Sequence, residues 1–453
     1  MFLVITVLLM AGLTAMNYRV SRSVLYPPAL LAATWTLLLG LLLATGDLYY
    51  PISPPTMIVY LAGVIAFSVG AFLSTHFFAQ SVRIATPRLC RRPGGLILTG
   101  GLILLVAVLP LYWDHIQDFA AAAASEDFWR SVRVETVAQG DDWSIKTFVT
   151  LLWEACSVLA VLLAVTAVAE NNGSRFSRSR MFGLIAIALI YGLMAGGSSG
   201  AVSLALGVIG IDAVRHGGLR TRTIIVGLTV AIVSFAVVAA VLSKGNIESS
   251  ASISENVSGT IELVGVYLLG GVVAFDAVVQ YPASITPVWS MWRVFQLTAN
   301  KFGSSFDVPS IHAEYTDISN DYNGNVYTMY FSYYPDYGLV GVCVIMVILG
   351  ALVTVIYQKA VHGNPRAVVL YAFVFSGIVL SGFSEYFFLG ANFWFKAILY
   401  TMLAYRFLPT SVASQNLLDN PAHQRDRRGA QAADFPSSGP GNPAGRDRSR
   451  RGT

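Results

Sequence analysis

Apolar runs of about 20 residues recur along this chain, and they restrict its fold more than any other feature. A helix of that length spans the roughly 30 Å hydrocarbon core of a bilayer. Hydrophobic types make up 55% of the residues and charged types only 12%, whereas a soluble domain usually carries about 25% charged residues. The sequence therefore predicts an all-α polytopic integral membrane protein. Eleven transmembrane helices are predicted, at residues 2–16, 27–46, 56–79, 94–113, 147–169, 181–197, 200–214, 223–243, 337–358, 367–383 and 390–408.

Basic residues occupy every second loop between these predicted spans. They follow the first, third, fifth, seventh and ninth spans, as Arg19, Arg22, Arg83, Arg88, Arg91, Arg92, Arg175, Arg178, Arg180, Arg215, Arg220, Arg222, Lys359 and Arg366. The loops between them carry acidic residues such as Asp47, Asp114 and Glu385. Because cytoplasmic loops are enriched in Lys and Arg, this alternation predicts an external N-terminus and a cytoplasmic C-terminus.

The apolar segment 260–280 is ambiguous. It contains Glu262 and Asp276 as well as the pair Gly270-Gly271, and a span here would move the basic loop at Lys359–Arg366 to the outside. We therefore interpret the segment as re-entrant or as lying in the outer interface, since backbone can break at membrane depth where it lines a cavity. Two large external loops result, at 114–146 and 244–336.

The last 45 residues differ in composition from the rest. Residues 409–453 are rich in Pro, Gly, Ser, Arg and Asp, so they cannot bury enough apolar surface to fold. The chain is accordingly divided into a transmembrane domain at 1–408 and a disordered cytoplasmic tail at 409–453. No nucleotide-binding motif or metal-ligand spacing is present, and we expect no cofactor, no metal, no disulfide and no nucleic-acid partner.

The basic residues of the two external loops are candidates for binding a phosphate. Arg130 and Arg133 are three residues apart, which places them on one face of a helix, and the arginine fork matches a diphosphate. Arg293 and Lys301 follow Trp289 in the second loop. The alternatives are surface ion pairs for the first two residues and anchoring at the headgroup level for the others.

Other candidate residues carry acid–base or sugar-binding chemistry. His312 and Glu314 have side chains suited to general acid–base catalysis, although a loop histidine often has no special role. Asp336 either acts chemically or serves the N–H groups at the start of a helix. Residues 323–341 form an aromatic and polar segment that suits sugar rings, with an interfacial aromatic belt as the alternative.

Glu154 and Lys396 stand out among the charges inside the predicted spans, and one acid falls in a short external loop. Glu154 and Lys396 lie at membrane depth, where a charge is costly and faces a cavity or a partner. Glu385 precedes the last predicted span. We expect the first two residues to be paired or to line a cavity.

The residues Asn325-Val326-Tyr327-Thr328, followed by Asp336-Tyr337-Gly338 and Gly341, make the chain resemble the Wzy-type oligosaccharide repeat-unit polymerases. In that O-antigen and capsule polymerase family, a similar Asn-x-x-Thr and then Asp-[Phe/Tyr]-Gly-x-x-Gly close a large periplasmic loop. The turn at 196–200 is similar to a family turn, but Ser198 stands where many members have Arg. A phosphate-binding role there would pass to Arg130, Arg133 or Arg293.

The resemblance implies an enzyme of the bacterial cytoplasmic membrane that takes undecaprenyl-diphosphate-linked oligosaccharide units at the outer face. It would transfer the growing chain onto the next unit without a nucleotide sugar. Implied partners are membrane lipid, a chain-length regulator and a flippase of the same pathway. The implied catalytic residues are Glu314, His312 and Asp336, and the implied substrate-binding residues are Arg130, Arg133, Arg293, Lys301, Asn325, Tyr327, Tyr334 and Glu385.

Two other functions stay open. An O-antigen ligase would use the same lipid-linked donor with a different acceptor. A lipid-linked oligosaccharide flippase typically has internal repeats and charges spread through many spans. The present chain has no obvious repeat, and its charges concentrate in the predicted external loops.

Replacing both Arg130 and Arg133 by Ala is expected to reduce surface polymer by about a hundredfold, because such cations would stabilise the departing diphosphate. The measurement is the length distribution of surface glycan in a deletion strain carrying the variant. Arg19→Ala, in a predicted cytoplasmic loop, is the control. Wild-type polymer in the double variant would contradict the assignment.

Overall fold

The computed structural model describes residues 1–82, 95–122, 128, 148–171, 173–194, 199–241, 253–281, 295–296, 299–300, 303–306 and 315–406. This part of the chain consists mainly of helices. Their bounds are α1 (Phe2–Ser21), α2 (Pro27–Ala44), α3 (Pro54–Val82), α4 (Gly95–Ala122), α5 (Phe148–Ala169), α6 (Arg175–Met194), α7 (Ser199–His216), α8 (Thr221–Val241), α9 (Ile253–Gln280), α10 (Tyr334–Val361), α11 (Pro365–Val379) and α12 (Ala391–Arg406). A two-residue antiparallel ladder pairs β1 (Thr316–Asp317) with β2 (Asn323–Gly324).

The helices confirm the predicted all-α membrane class. Each of the eleven predicted spans falls on a helix. Within the described residues, seven helices are long and apolar enough to cross a membrane, namely α1, α2, α3, α4, α5, α6 and α10. The number of spans and their orientation stay predictions.

Helices α3 and α10 pack closely because each carries a glycine where the other's backbone approaches. A Cβ at Gly70 would collide with the carbonyl of Val347, and a Cβ at Gly350 would collide with the carbonyl of Phe67. Lipid supplies no hydrophobic force between helices, so such close van der Waals contact is a main source of their association. This reciprocal contact makes α3 and α10 a closely packed pair.

Two groups of buried side chains fill the bundle on either side of α11. The first group joins α1, α2, α3, α9 and α10, and the second joins α4, α5, α6 and α12. Tyr371 and Phe375 of α11 belong to the first group, whereas Ala372 and Phe373 belong to the second. A helix in contact with protein on all faces is apolar all round, as α11 is.

Three irregular segments meet at one end of the bundle, termed the loop end. They are residues 45–53, 315–333 and 380–390. The amide of Tyr50 donates to the carbonyl of Ile318 at 3.0 Å, and the amide of Met329 donates to the carbonyl of Ser381 at 2.8 Å. All three segments belong to loops that the charge pattern predicts on the outer side.

The other end of the bundle, termed the basic end, carries several arginines from the predicted cytoplasmic loops. Arg215 donates to the carbonyls of Val168 and Ala169 at the end of α5, and Arg366 donates to that of Tyr405 at the end of α12. A cation near the C-terminus of a helix also interacts favourably with the helix dipole. The two ends therefore differ in charge as the sequence predicts.

Segment 260–280 belongs to α9, which is helical without a break from Ile253 to Gln280. The unbroken helix contradicts the re-entrant interpretation of this segment, which needs a break in the backbone. Both glycines allow close approach instead, since a Cβ at Gly271 would lie 2.6 Å from the carbonyl oxygen of Gly382 and one at Gly270 would lie 2.9 Å from Ile318. Position in the outer interface stays a prediction for this helix.

Asp276 fastens α9 to the start of α3 at the loop end. Its Oδ1 accepts hydrogen bonds from the amide of Ser53 at 2.9 Å and from the hydroxyls of Ser53 and Thr56 at 2.5 Å each. Its Oδ2 accepts one from the side chain of Gln280. The carboxylate thus serves the N-terminal groups of α3, a place where negative charge is favourable.

The two glycines of the Asp-Tyr-Gly-x-x-Gly motif have distinct backbone roles. Gly338 lies inside α10 with φ 61° and ψ −165°, a conformation that is essentially restricted to glycine. That irregularity brings Tyr337 against Gly341, where a Cβ would collide with the Cβ of Tyr337. The motif residues therefore form an irregular start of α10, directly after the 315–333 segment.

Gly70→Ala and Gly350→Ala are each expected to destabilise the protein by about 1–3 kcal/mol, because the added methyl group overpacks the α3–α10 contact. Thermal unfolding of purified protein in detergent measures the effect. Gly40→Ala in α2 is the matched control, since nothing lies within 4 Å of its would-be Cβ. Equal Tm values for the three variants would contradict the close packing.

Candidate functional site

A cavity of about 130 Å³ lies at the loop end, between residues 325–332 and 383–389. It is termed the loop-end cavity. Its polar lining includes Asn325, Thr328 and Ser384 as well as the carboxyl group of Glu385. Small-molecule sites are typically concave and carry a few well-placed polar groups, and the amide and hydroxyl groups here can both donate and accept hydrogen bonds. The lining therefore offers a few hydrogen-bonding groups on a mostly apolar surface.

An aromatic wall completes the cavity. The rings of Tyr327 and Phe331, both lining residues, stack with centroids 4.3 Å apart and an angle of 18° between their planes. The hydroxyl of Tyr327 shares a hydrogen bond of 2.7 Å with Thr316 Oγ1 in β1. The ring is thereby fixed at both its face and its tip, which is the arrangement needed for a rigid stacking surface.

Helix α9 supports the cavity from the side of the bundle. The would-be Cβ of Gly271 lies 2.6 Å from the Gly382 carbonyl and 3.4 Å from that of Val326, so both cavity segments rest on this one glycine. Nearby, the ring of Tyr267 lies 5.7 Å from that of Phe383. Close backbone approach at Gly271 therefore sets how near the two walls of the cavity come to each other.

Glu385 holds the shape of the second wall. Its side chain is only 4% exposed. Oε1 accepts hydrogen bonds from the hydroxyl of Tyr333 at 2.7 Å and from the amide of Phe387 at 2.6 Å. Oε2 accepts from the amides of Phe388 at 2.7 Å and Leu389 at 2.5 Å. A carboxylate offers about four lone-pair sites, so the described contacts occupy all of them.

The environment of Glu385 acts on its ionisation in two directions. Burial raises the pKa of the Glu385 carboxyl above its ordinary value, whereas the hydrogen bonds from Leu389, Tyr333, Phe387 and Phe388 oppose that rise. Hydrogen bonds to the charged form favour it. The same four donors thus fix the geometry of the group and limit the cost of burying its charge.

Three of the residues predicted from the sequence line the loop-end cavity together. They are Asn325, Tyr327 and Glu385. Tyr334 is not among the lining residues, because its ring points into the bundle and meets Phe275 edge-on at 5.9 Å. The binding roles of Asn325, Tyr327, Tyr334 and Glu385 stay predictions.

Asp336 is also outside the lining of the cavity. It is half-buried in the first turn of α10, where a carboxylate complements the positive end of the helix dipole. This position agrees with the structural alternative for Asp336. A chemical role for it stays a prediction.

Several predicted residues lie outside the described residues, so the structure does not place them. They are Arg130, Arg133, Arg293, Lys301, His312 and Glu314. The Gly196-Gly197-Ser198 turn and the 409–453 tail lie outside them as well.

The two membrane-depth charges are paired with each other. Lys396 Nζ of α12 lies 3.5 Å from Glu154 Oε2 of α5, and the side chains are 19% and 26% exposed, respectively. This confirms the expectation that each faces a partner. The pair lies among apolar helices rather than in the lining of the loop-end cavity.

Some cavity residues carried no clear sequence signal. Ser332 stands within the aromatic segment and Ser384 precedes Glu385, and isolated hydroxyl residues of this kind are common in loops. Thr328 also lines the cavity, but it is the Thr of the Asn-x-x-Thr motif. The link between Tyr333 and Glu385 joins positions 52 residues apart, which no spacing rule predicts. Among the described residues, no group of three or more His, Cys, Asp or Glu side chains is placed to hold a metal ion.

Comparison with known proteins adds no family to these observations. No protein-family model, no curated protein and no solved structure matches the chain.

Glu385→Ala is expected to lower the free energy of unfolding by on the order of 3 kcal/mol, because it leaves two buried and two part-buried donors without their acceptor. Tyr333→Phe removes one donor and is expected to cost about 1 kcal/mol. Thermal unfolding in detergent measures both effects.

The matched control is Tyr50→Phe, which removes an exposed hydroxyl contact to Asn320 at the same end of the bundle. Its Tm should stay at the wild-type value. If Tyr333→Phe behaves like this control, the hydrogen bond to Glu385 has no structural importance.

Proposed function

We propose that this chain polymerises undecaprenyl-diphosphate-linked oligosaccharide repeat units at the outer face of the bacterial cytoplasmic membrane. It would be a polyprenyl-diphosphate-dependent glycosyltransferase with eleven spans, an external N-terminus and a cytoplasmic C-terminus. The observation that carries the proposal is the loop-end cavity, which joins Asn325, Tyr327 and Glu385 in one polar and aromatic site. This proposal also rests on the resemblance of residues 325–341 to the Wzy-type polymerases.

The lining of the cavity supports a sugar as its occupant. A sugar ring presents hydroxyls that donate and accept hydrogen bonds, and apolar C–H faces that stack on aromatic rings. Asn325 and Ser384 offer groups of the first kind, and the stacked Tyr327 and Phe331 offer the second. Glu385 contributes by holding the wall, since its oxygens already accept four hydrogen bonds.

The surroundings of the cavity support a substrate with a lipid tail. The segments that form it continue directly into α10 and α12, whose outward faces carry exposed apolar side chains such as Val340, Val344 and Leu399. In a bilayer these faces meet acyl chains. A polyprenyl chain can therefore stay in the lipid while its sugar reaches the cavity.

The proposed reaction needs a base and a cationic site. A hydroxyl of the acceptor unit attacks the anomeric carbon of the growing chain, and the new carbon–oxygen bond forms as the bond to the diphosphate breaks. The electron pair leaves with the polyprenyl diphosphate, and a base takes the hydroxyl proton. Glu314, His312 and Asp336 are the base candidates. Arg130, Arg133, Arg293 and Lys301 are proposed to stabilise the departing diphosphate.

Asn325→Ala and Tyr327→Ala are each expected to reduce long surface glycan by at least about tenfold, because each removes a group that would orient the acceptor sugar. The measurement is the glycan ladder of a deletion strain that carries the variant at wild-type protein level. Asn320→Ala is the matched control, because Asn320 lies at the same end but outside the cavity lining.

The glycan of the deletion strain itself distinguishes the three candidate functions. Single-unit surface glycan supports a polymerase. Full-length glycan left on its lipid carrier would instead identify a ligase, and units trapped at the inner leaflet would identify a flippase.

A further inference from the structure

The Glu154–Lys396 pair lies near the loop-end starts of α5 and α12, and these two helices run in the same direction. Helices α5 and α12 both end at the basic end, where Arg215 and Arg366 contact their last carbonyls. Glu154 stands six residues after Phe148 and Lys396 five residues after Ala391. At 1.5 Å per residue, they lie roughly 9 and 7.5 Å, respectively, from the loop-end start of their helices. The ion pair thus lies within a few turns of helix from the end of the bundle that holds the loop-end cavity.

The first turn of α12 is joined to the cavity wall. The indole Nε1 of Trp394 donates to the carbonyl of Tyr386 at 2.9 Å, and its ring is stacked with that of Phe387 at a centroid distance of 6.0 Å. The amide of Phe387 in turn donates to Glu385 at 2.6 Å. A shift of α12 would therefore move the amides that hold the Glu385 carboxylate.

The other side of α12 packs on α11 through aromatic rings. Phe393 and Trp394 meet Phe373 of α11 edge-on, at centroid distances of 5.1 and 6.5 Å. Each ring pair of this kind contributes only about 0.5–1.5 kcal/mol beyond its area burial. An ion pair at membrane depth is different, because separating the charges leaves each of them in a medium where it is costly.

We infer that the Glu154–Lys396 ion pair is a positioning pair, which fixes α12 along α5 and thereby sets the shape of the loop-end cavity. Neither residue is assigned a contact with the substrate. Lys396 acts through Trp394 and the amides of residues 387–389, and Glu154 acts through Lys396. The expected effect of the pair on polymer formation rests on the proposed function. Its expected effect on the shape of the cavity does not.

The test combines single neutralisations with an exchange of charge. Glu154→Gln and Lys396→Met each remove one charge, and the double variant E154K/K396E restores an ion pair with reversed polarity. Lys396→Arg keeps the charge in place. Phe395→Leu is the control, because Phe395 neighbours Lys396 on α12 and is 68% exposed.

Two readouts are measured in each variant. The first is the rate at which a hydrophilic maleimide labels a cysteine introduced as Ser384→Cys, a half-buried position in the cavity lining. The parent protein without this change gives the background from Cys90, Cys156 and Cys343. The second readout is the length distribution of surface glycan, measured without the Ser384→Cys change.

Each single neutralisation is expected to change the labelling rate by at least about threefold, as contacting residues couple measurably, and to shorten the glycan. Lys396→Arg should keep both readouts at the wild-type value, and the charge exchange should restore both. Phe395→Leu should alter neither. Unchanged labelling in both neutralised variants would overturn the inference. Recovery of labelling without recovery of glycan in the charge exchange would also overturn it, because the ammonium group itself would then be required.

The two proposals fail in different ways. If deleting the gene leaves the glycan ladder intact, the proposed function fails. The labelling rates still decide whether the ion pair sets the shape of the cavity.

Discussion

Inside a bilayer, backbone amides and carbonyls find no water to hydrogen-bond with, so they must bond to groups of the protein. This requirement governs the whole molecule. An apolar chain satisfies these groups most simply within helices, so irregular backbone gathers at the ends of the bundle or where protein covers it. The ladder of β1 and β2, the 3₁₀ turn at Met329–Ser332 and the 380–390 segment all lie at the loop end. Binding residues often stand on irregular segments, so the proposed site at this end agrees with the same constraint that forms the helices.

Two buried carboxylates organise the irregular backbone at the loop end. Asp276 of α9 accepts hydrogen bonds from Ser53 and Thr56 at the start of α3. Glu385 accepts them from three consecutive amides before α12 and from Tyr333 before α10. Each carboxylate therefore connects elements that begin at this end. Such a fully satisfied polar network rigidifies its surroundings, and here the surroundings include the walls of the loop-end cavity.

Glycines have two different roles in this structure. The motif glycines Gly338 and Gly341 lie at the start of the predicted span 337–358, and there the structure has an unusual helix start. The pair Gly270-Gly271 also has the composition of a break, yet α9 continues through it. The missing side chains make room for Ile318 and Gly382. Gly-Gly favours irregular backbone and close approach alike, so only the neighbouring segments distinguish the two.

The sequence by itself determined the membrane class, the positions of the helices and the contrast in charge between the ends, because length, apolar composition and basic loops are local properties. It also pointed to Asn325, Tyr327 and Glu385 as separate candidates. Only the tertiary structure brought these three to one cavity, joined Tyr333 to Glu385, and paired Glu154 with Lys396. Those contacts join residues far apart in the chain, and they depend on how helices pack through glycines such as Gly70, a property that no periodicity or spacing encodes.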